Sequence, residues 1–279
     1  MAEAGEAATV EAGGDSAKAS GIPHFLTSTL DAALEVFDDL GGTILLGGQT
    51  FGWLVRPPYR WAQLFIALDF IGAGSTFIVG LVGLFTGMAF TVSVIVGFRQ
   101  FSAEGMVGGV VALALTRELA PVLAGVVVTA RAGSTMASEL GNMRVTEQID
   151  AITTMGVSPI QYLIVPRVVA TTLMLPPLAL CFGVTGMAGA YLVAVVMQDI
   201  DPGVFFDKIK TFVQMSDLRM LGMKSLVFGL IVSCICCKKG FSASGGARGV
   251  GEATAKAVVA SIVVIFAADY VLTSIMTDI

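Results

Sequence analysis

Three ionisable side chains stand inside segments that are mostly apolar and long enough to cross a bilayer. They are Glu118, Lys224 and Asp269. An ionised group near the middle of a bilayer costs about 2.5–3.5 kcal/mol on insertion scales, so each one needs a partner or a water-lined cavity. Counted along their helices, Lys224 and Asp269 lie about 9 Å deep and Glu118 about 18 Å deep. Opposite charge at matching depth predicts a buried pair between Lys224 and Asp269, with Glu118 as a candidate third member.

Such a cluster is compatible with two roles, and the sequence leaves both open. It can be a clamp that fixes the register of neighbouring helices, since buried ion pairs can specify packing without touching a substrate. It can also be the proton relay of an ion-coupled secondary carrier. The hydropathy pattern counts against the relay, because it has no evident inverted repeat and five spans do not divide into equal halves.

A second candidate site is the polar stretch GNMRVTEQIDAITTMGVSP, residues 141–159. Thr146 is suited to cap the amino end of a helix, and acidic residues in the first turn favour the positive end of the helix dipole. Gly156 can take the left-handed conformation that ends a helix, and Pro159 forbids continuation. The sequence therefore predicts a separate short helix over 147–155.

This predicted helix has two different sides. Ile149, Ile152 and Met155 repeat at three-residue spacing, whereas Glu147 and Asp150 point elsewhere. A helix of this length is marginal in water, so something must pack against it. From its chemistry alone, the partner is either the protein's own membrane face or the groove of a cytoplasmic protein.

The elements that position these sites are membrane-spanning helices. Apolar residues make up 55% of the 279 positions and charged residues 13%, with a mean hydropathy of +0.85, whereas an ordinary soluble domain carries about 25% charge. Apolar runs of the length that a spanning helix needs, about 20 residues, predict an all-α integral membrane protein with five spans. The predicted spans are 70–98, 106–137, 162–197, 218–238 and 250–276.

Two further segments precede the membrane domain, which we assign to residues 61–279. Residues 1–22 are rich in Ala, Gly and acid and lack the basic start and apolar stretch of a signal peptide, which predicts a disordered leader. The region 23–60 contains HFLTSTLDAALEVFDDL, with apolar side chains on one helical face and acids on the other. This pattern predicts an amphipathic helix lying in the membrane interface, or alternatively a soluble helix packed on a partner.

Small residues recur within the spans at helix-packing spacing. They are Gly83 and Gly87 in the first span and Gly183, Gly186 and Gly189 in the third. Small residues let helix backbones approach closely in lipid, so they predict a tight bundle.

Basic residues in the short connections predict the orientation. The side that holds residues 141–159 carries Arg56, Arg60, Arg144, Lys238, Lys239 and Arg248, and the opposite side carries Arg99, Lys208 and Lys210. By the positive-inside rule the first side is cytoplasmic. The amino terminus is then cytoplasmic and the carboxyl terminus is outside.

Several other classes of function have no basis in this sequence. A net charge of -5 with 16 scattered basic residues offers no nucleic-acid surface. The four cysteines lie in apolar runs and the lone His24 lies outside them, so neither a metal site nor a catalytic residue is predicted. The glycines of SGGARGVGEAT, residues 244–254, fit neither common phosphate-binding pattern. Any ATP that the protein uses must be hydrolysed by another polypeptide.

Four long blocks, in the same order, carry a resemblance to a known family. They are the run from SAEGMVGG to PRVVA, then MKSLVFGLIVSCICCKKGF, GGARGVGEATAKAVV and ADYVLTSIM. From about residue 63 to its end, the chain resembles the MlaE/YrbE family, the permease subunits of bacterial lipid-transporting ABC systems that work with MCE-domain lipid-binding proteins. The resemblance implies a five-span permease with an amino-terminal interfacial helix, forming a homodimer whose two cytoplasmic coupling helices dock on two ATPase subunits.

The resemblance also implies roles for particular residues. TEQIDAI is similar to the family's coupling helix, which favours a cytoplasmic partner for the predicted short helix. The residues that would be presented to the ATPase are Glu147, Gln148, Ile149 and Asp150. Glu118, Lys224 and Asp269 match positions at which the family carries intramembrane charges.

A lipid cavity is implied as well, lined by the first span and the start of the second. The matching positions are Phe90, Val94, Gly97, Phe98 and Phe101. Aromatic and aliphatic side chains suit acyl tails, although ordinary packing or lipid-facing roles fit them equally. Because Gly97 removes a side chain, the cavity here is expected to be wider or shaped for a different lipid.

The expected function follows from this resemblance. It is the membrane subunit of an ATP-driven phospholipid or lipid transporter that exchanges lipid between the bacterial inner membrane and a periplasmic MCE-domain carrier and maintains outer-membrane lipid asymmetry. ATP and Mg²⁺ would be bound by the partner ATPase, and this chain would hold no cofactor and be no enzyme. The alternatives are the ion-coupled carrier described above and a purely structural membrane anchor.

Overall fold

The computed structural model describes residues 41–43, 45–50, 52–53 and 61–277. The predicted leader over 1–22 and the amphipathic sequence over 24–40 lie outside the described residues. Helical backbone is present in the described parts of 41–53, and all contacts given below belong to the unit that begins at Gly42.

Helices make up almost all of the described chain. They are α1 (Trp61–Arg99), α2 (Glu104–Val145), α3 (Gln148–Thr154), α4 (Ile160–Met197), α5 (Pro202–Phe212), α6 (Met215–Phe241) and α7 (Gly246–Thr277). Five of these, α1, α2, α4, α6 and α7, are long and apolar enough to cross a membrane. The predicted all-α fold with five spans is therefore confirmed, and each predicted span lies within a longer helix.

The spans alternate in direction, so the bundle has two ends. The end that carries α3 is called the α3 end, and the end that carries α5 is called the α5 end. α2 continues through polar residues to Val145 at the α3 end, well beyond the predicted limit of 137. The interval between the predicted span and the predicted short helix is thus mostly helix.

Glycines bring α1 and α4 into close backbone contact. A Cβ atom on Gly87 would collide with the carbonyl oxygen of Gly186, and one on Gly189 would collide with the backbone of α1. Gly183 differs, because its open side faces Ala120 of α2 at an ordinary contact distance of 3.8 Å. The predicted tight packing is confirmed for the α1–α4 contact, in which close approach takes the place of a hydrophobic driving force.

The helix α5 was not predicted from the sequence. The Asp201 side chain accepts a hydrogen bond from the Val204 backbone N–H at 2.9 Å, and Pro202 occupies the first helical turn, so a cap defines its start. Phe205 is buried against α2 at Gly108, where a Cβ would lie 2.8 Å from the ring. α5 thereby covers the start of α2 at the α5 end.

Candidate functional site

Pro121 in α2 leaves a backbone carbonyl free to take part in the first candidate site. Pro121 has no N–H, so it cannot donate to the carbonyl of Arg117 four residues earlier. The helix widens just before it into a π-helical turn over Leu115–Leu119, and the Ala120 N–H bonds to the Leu115 oxygen. The freed Arg117 carbonyl oxygen instead accepts a hydrogen bond from Lys224 Nζ of α6 at 3.1 Å.

Lys224 is the centre of a cluster drawn from three spans. Its ammonium lies 2.7 Å from Glu118 Oε2 of α2 and 2.8 Å from Asp269 Oδ1 of α7. It also donates to Thr273 Oγ1 at 2.7 Å, and that hydroxyl donates to the Asp269 backbone oxygen one turn earlier. The structure therefore brings together the three intramembrane charges singled out from sequence and adds Thr273, which sequence analysis missed because a lone threonine carries no distinguishing pattern.

The exposure of the three charged side chains is unequal. The Lys224 side chain is 0% exposed, whereas Asp269 is 18% and Glu118 is 39% exposed. The two carboxylates therefore reach the surface of the protomer while the ammonium is enclosed by protein. Both side chains are long, so their charged ends can meet although the two residues were predicted to lie at different depths along their helices.

A second ion pair lies next to the cluster. Arg117 Nε donates to Asp217 Oδ1 at 2.7 Å, and Asp217 is almost fully buried. The other oxygen of Asp217 accepts from the Gln214 backbone N–H at 2.7 Å, as part of a capping box that starts α6. Arg117 and Glu118 thus have separate partners, as neighbouring residues on a helix must.

The second candidate site is α3 with the turns that flank it. The helix begins at Gln148, and the residue before it, Glu147, has a left-handed backbone with φ 59°. Thr146 is not its cap: the hydroxyl donates to the Asn142 oxygen at 2.8 Å, within the last turn of α2. The predicted Thr146 cap is wrong because α2 continues to Val145 and keeps Thr146 at its own end.

The carboxyl end of α3 follows the predicted geometry. Gly156 has φ +76° and ends the helix in the left-handed conformation. The Gly156 N–H bonds to the Thr153 oxygen at 3.0 Å and the Val157 N–H bonds to the Ile152 oxygen at 3.3 Å. This pair of bonds is a Schellman motif, which satisfies the last carbonyls of the helix.

The two sides of α3 have different environments. Ile149 is 1% exposed. It packs in a cluster with residues of three spans, namely Leu140 of α2, Leu163, Ile164 and Val168 of α4, and Cys234 and Cys237 of α6. Ile149 is therefore an internal anchor, and the prediction that it is presented to the ATPase is corrected.

The outer side of α3 is polar. Glu147, Gln148 and Asp150 are exposed, and Asp150 Oδ1 lies 2.6 Å from Arg144 Nη1 of α2. That ion pair closes the turn between α2 and α3. The short helix is thus packed against its own protein on one side and exposed on the other.

The five residues predicted to line a lipid cavity fall near the α5 end of α1. Phe90, Val94 and Phe98 are half-buried and pack partly against the core. Gly97 has nothing within 4 Å of the place where a Cβ would stand, and Phe101 is 80% exposed. Within one protomer these residues form an apolar face, with an open step at Gly97.

Five helices able to span a membrane, with a charge cluster buried between three of them, define a multi-pass membrane protein. The match to known sequences gives the family. Residues 64–275 match the family described as Permease MlaE, and the chain belongs to this family of ABC transporter permeases.

Relatives of this chain span most of its length. A probable ABC transporter permease protein of Synechocystis is 40% identical over 86% of this chain and 91% of its own. One from Rickettsia conorii is 39% identical over 80% and 86%. The chloroplastic protein TRIGALACTOSYLDIACYLGLYCEROL 1 of Arabidopsis thaliana is 40% identical over 82% and 66%. An ABC transporter permease works with an ATPase subunit, so the family implies such a partner for this chain.

Proposed function

We propose that this chain is the membrane subunit of an ATP-driven transporter that exchanges phospholipid between the bacterial inner membrane and a periplasmic MCE-domain carrier, and so maintains outer-membrane lipid asymmetry. Two copies form the permease, and two ATPase subunits bind ATP and Mg²⁺. The α3 end faces the cytoplasm, and the carboxyl terminus lies in the periplasm.

The observation that carries this proposal is the two-sided environment of α3. The exposed Glu147, Gln148 and Asp150 are available to an ATPase, while Ile149 ties the helix to the protein interior. A seven-residue helix has no stability of its own, so its position follows whatever it packs against. α3 is therefore suited to move with the ATPase and to pull on the helices that hold Ile149.

The path from α3 into the membrane is continuous. Ile149 contacts α2, α4 and α6 through its cluster, and two of those helices carry the charged site: Glu118 lies on α2 and Lys224 on α6. Lys224 stands 17 residues from the end of α6 at Phe241, which is about 26 Å along a helix. A rigid shift of α2 or α6 at the α3 end would thus reach the ion pair. We infer that the cluster keeps these helices in register while they move.

Two observations support a lipid as the cargo. The face formed by Phe90, Val94, Phe98 and Phe101 is apolar and partly exposed, which suits acyl chains. The plant relative is named after a diacylglycerol lipid. In a homodimer this face would line a shared cavity, and the open space beside Gly97 would widen it.

Reversal of charge on α3 tests the proposal. In a reconstituted complex with its ATPase and carrier, Glu147→Lys with Asp150→Lys is expected to abolish lipid-stimulated ATP hydrolysis and ATP-dependent lipid transfer. The expected loss is at least tenfold in rate, the effect of about 1.4 kcal/mol. Unchanged stimulation would contradict the proposal, and transfer driven by a proton gradient without an ATPase would favour an ion-coupled carrier.

A swapped pair provides the matched control. Asp150 also bonds to Arg144, so its reversal disturbs the turn as well as the outer surface. Arg144→Asp with Asp150→Arg restores an ion pair of opposite polarity and keeps the turn closed. Loss of ATPase coupling in this swap would show that the charge on the outer face matters, whereas full recovery would assign Asp150 to the turn alone.

A further inference from the structure

A cavity of about 290 Å³ lies at the α3 end of the bundle, away from the apolar face near the α5 end. It is bounded by the start of α1, the end of α2 and the start of α4. Its polar lining residues are Gln63, Glu139, Tyr162 and Arg167, and its apolar walls include Phe70 and Leu163. Neither the charge cluster nor α3 contributes to it.

Two buried polar atoms on this cavity lack a hydrogen-bond partner among residues 61–277 and the described part of 42–53. Arg167 donates through Nη2 to Glu139 Oε2 at 2.8 Å, but its Nη1 is buried and unpartnered. Gln63 Oε1 is buried and unpartnered as well. Leaving a buried donor or acceptor unsatisfied costs about 1–3 kcal/mol, so such atoms normally have a partner. Both side chains line the cavity, so a rotation of each would present this donor and this acceptor to a ligand.

The position of the cavity points to the source of that ligand. Tyr162 lines it and Trp61 begins the helix that forms one wall, and these residue types gather where a membrane meets water. Ile66, on the wall, is 70% exposed on the outer side of α1, and Glu139 is half exposed. The volume is near the lower limit of ligand pockets, about 300–1,000 Å³, which suits a headgroup whose acyl chains remain outside along α1.

The charged residues that line the cavity favour one type of lipid headgroup. Arg167 and Glu139 already neutralise each other, so the lining as a whole matches a ligand with no net charge. A headgroup with only a phosphate would place its anion beside the Glu139 carboxylate, where like charges repel. A headgroup with a phosphate and an ammonium group satisfies both sides.

We propose that this cavity binds the phosphoethanolamine headgroup of a resident membrane lipid. The phosphate accepts a hydrogen bond from Arg167 Nη1, and the ammonium donates to Gln63 Oε1 and to Glu139. The site joins α1, α2 and α4 at the level of the lipid headgroups and is separate from the proposed transport route. It does not depend on whether the chain moves lipid.

Native mass spectrometry of the purified complex tests this proposal with defined lipids. Phosphatidylethanolamine and phosphatidylglycerol are added separately, and soluble phosphoethanolamine and inorganic phosphate serve as headgroups without acyl chains. We expect at least one phosphatidylethanolamine per protomer to survive detergent exchange, with weaker retention of phosphatidylglycerol. Equal retention of the two lipids, or binding of the soluble compounds as tight as that of the lipid, would overturn the proposal.

Two variants assign the binding to this cavity. Arg167→Gln is expected to weaken retention of both lipids at least tenfold, because the phosphate donor is lost, whereas Glu139→Gln should weaken only phosphatidylethanolamine and abolish the preference. Arg99→Gln is the matched control, because Arg99 is an exposed arginine at the α5 end that is paired with Glu104. Retention unchanged in both cavity variants would refute the assignment.

A wild-type experiment protects the test against variants that fail to fold. Phosphatidylethanolamine with a photoreactive group close to the headgroup is cross-linked to the complex in membranes, and the labelled peptides are identified. The proposal expects label within residues 63–71 and 162–167. Label confined to residues 90–101, the opposite end of α1, would contradict it.

Discussion

Replacement of Lys224 by methionine removes the ammonium on which the intramembrane cluster is built. In the native protein it is fully buried and lies within 2.8 Å of both Glu118 and Asp269. Removing one partner of a buried ion pair costs about 3–5 kcal/mol, because it leaves an uncompensated charge. We therefore expect a loss of about 3–5 kcal/mol in Lys224→Met. The measurement is the free energy of unfolding in mixed micelles by titration with a denaturing detergent.

A triple variant separates the charge from the packing. Lys224→Met combined with Glu118→Met and Asp269→Leu leaves no ion in the cluster, and apolar residues of similar volume often replace a buried ion pair without cost. We expect stability to return to within about 1 kcal/mol of the native value. Native stability in the single variant would refute the reasoning, because the carboxylates would then be satisfied without Lys224. If the triple variant is stable but does not transfer lipid, the cluster has a role beyond helix register.

Three further substitutions, each with a comparison variant, have definite expected outcomes. Gly87→Leu should destabilise the bundle by more than the about 1–3 kcal/mol of ordinary overpacking, since it meets backbone, and Gly97→Leu should leave unfolding unchanged. Thr273→Val should cost about 1 kcal/mol through the lost hydroxyl, and Thr273→Ser should restore it in the same unfolding titration. Ile149→Ala should keep the ATPase in pull-down assays but reduce ATP-dependent lipid transfer, which Ile149→Val should largely retain; transfer at the native rate in Ile149→Ala would contradict its anchoring role.

The spanning helices were predictable because apolar length is a strong pattern. Their ends were not, since α2 runs on through the polar residues 138–145 and α1 begins at Trp61, ahead of the apolar run. In lipid or water, a helix continues while its backbone bonds are satisfied, and polarity alone does not end it. α5 has only 11 residues, too few for a spanning helix, and its one mark in the sequence is the Asp-Pro start at Asp201.

The sequence predicted the ionised side chains of the charge cluster but not the neutral groups that complete it. Lys224 and Asp269 could be paired by sign and depth, but the other two partners of Lys224 are a hydroxyl and a backbone carbonyl. The position of the carbonyl depends on the π-helical turn before Pro121, and that of the hydroxyl on the rotation of α7 about its axis. Residue spacing in the sequence determines neither. For α3 the sequence pattern predicted an apolar and a polar face. Which apolar residue is buried against the spans, Ile149, depends on how α3 packs in the fold.

A photoreactive amino acid at Gln148 tests the central claim most directly. Gln148 is exposed on the outer side of α3, and Phe101, exposed near the α5 end, is the matched position at the other end of the bundle. After irradiation of intact cells, the account predicts that position 148 cross-links to the ATPase subunit and that position 101 cross-links to lipid or to the periplasmic carrier. Cross-linking of position 148 to lipid without any ATPase product would contradict it.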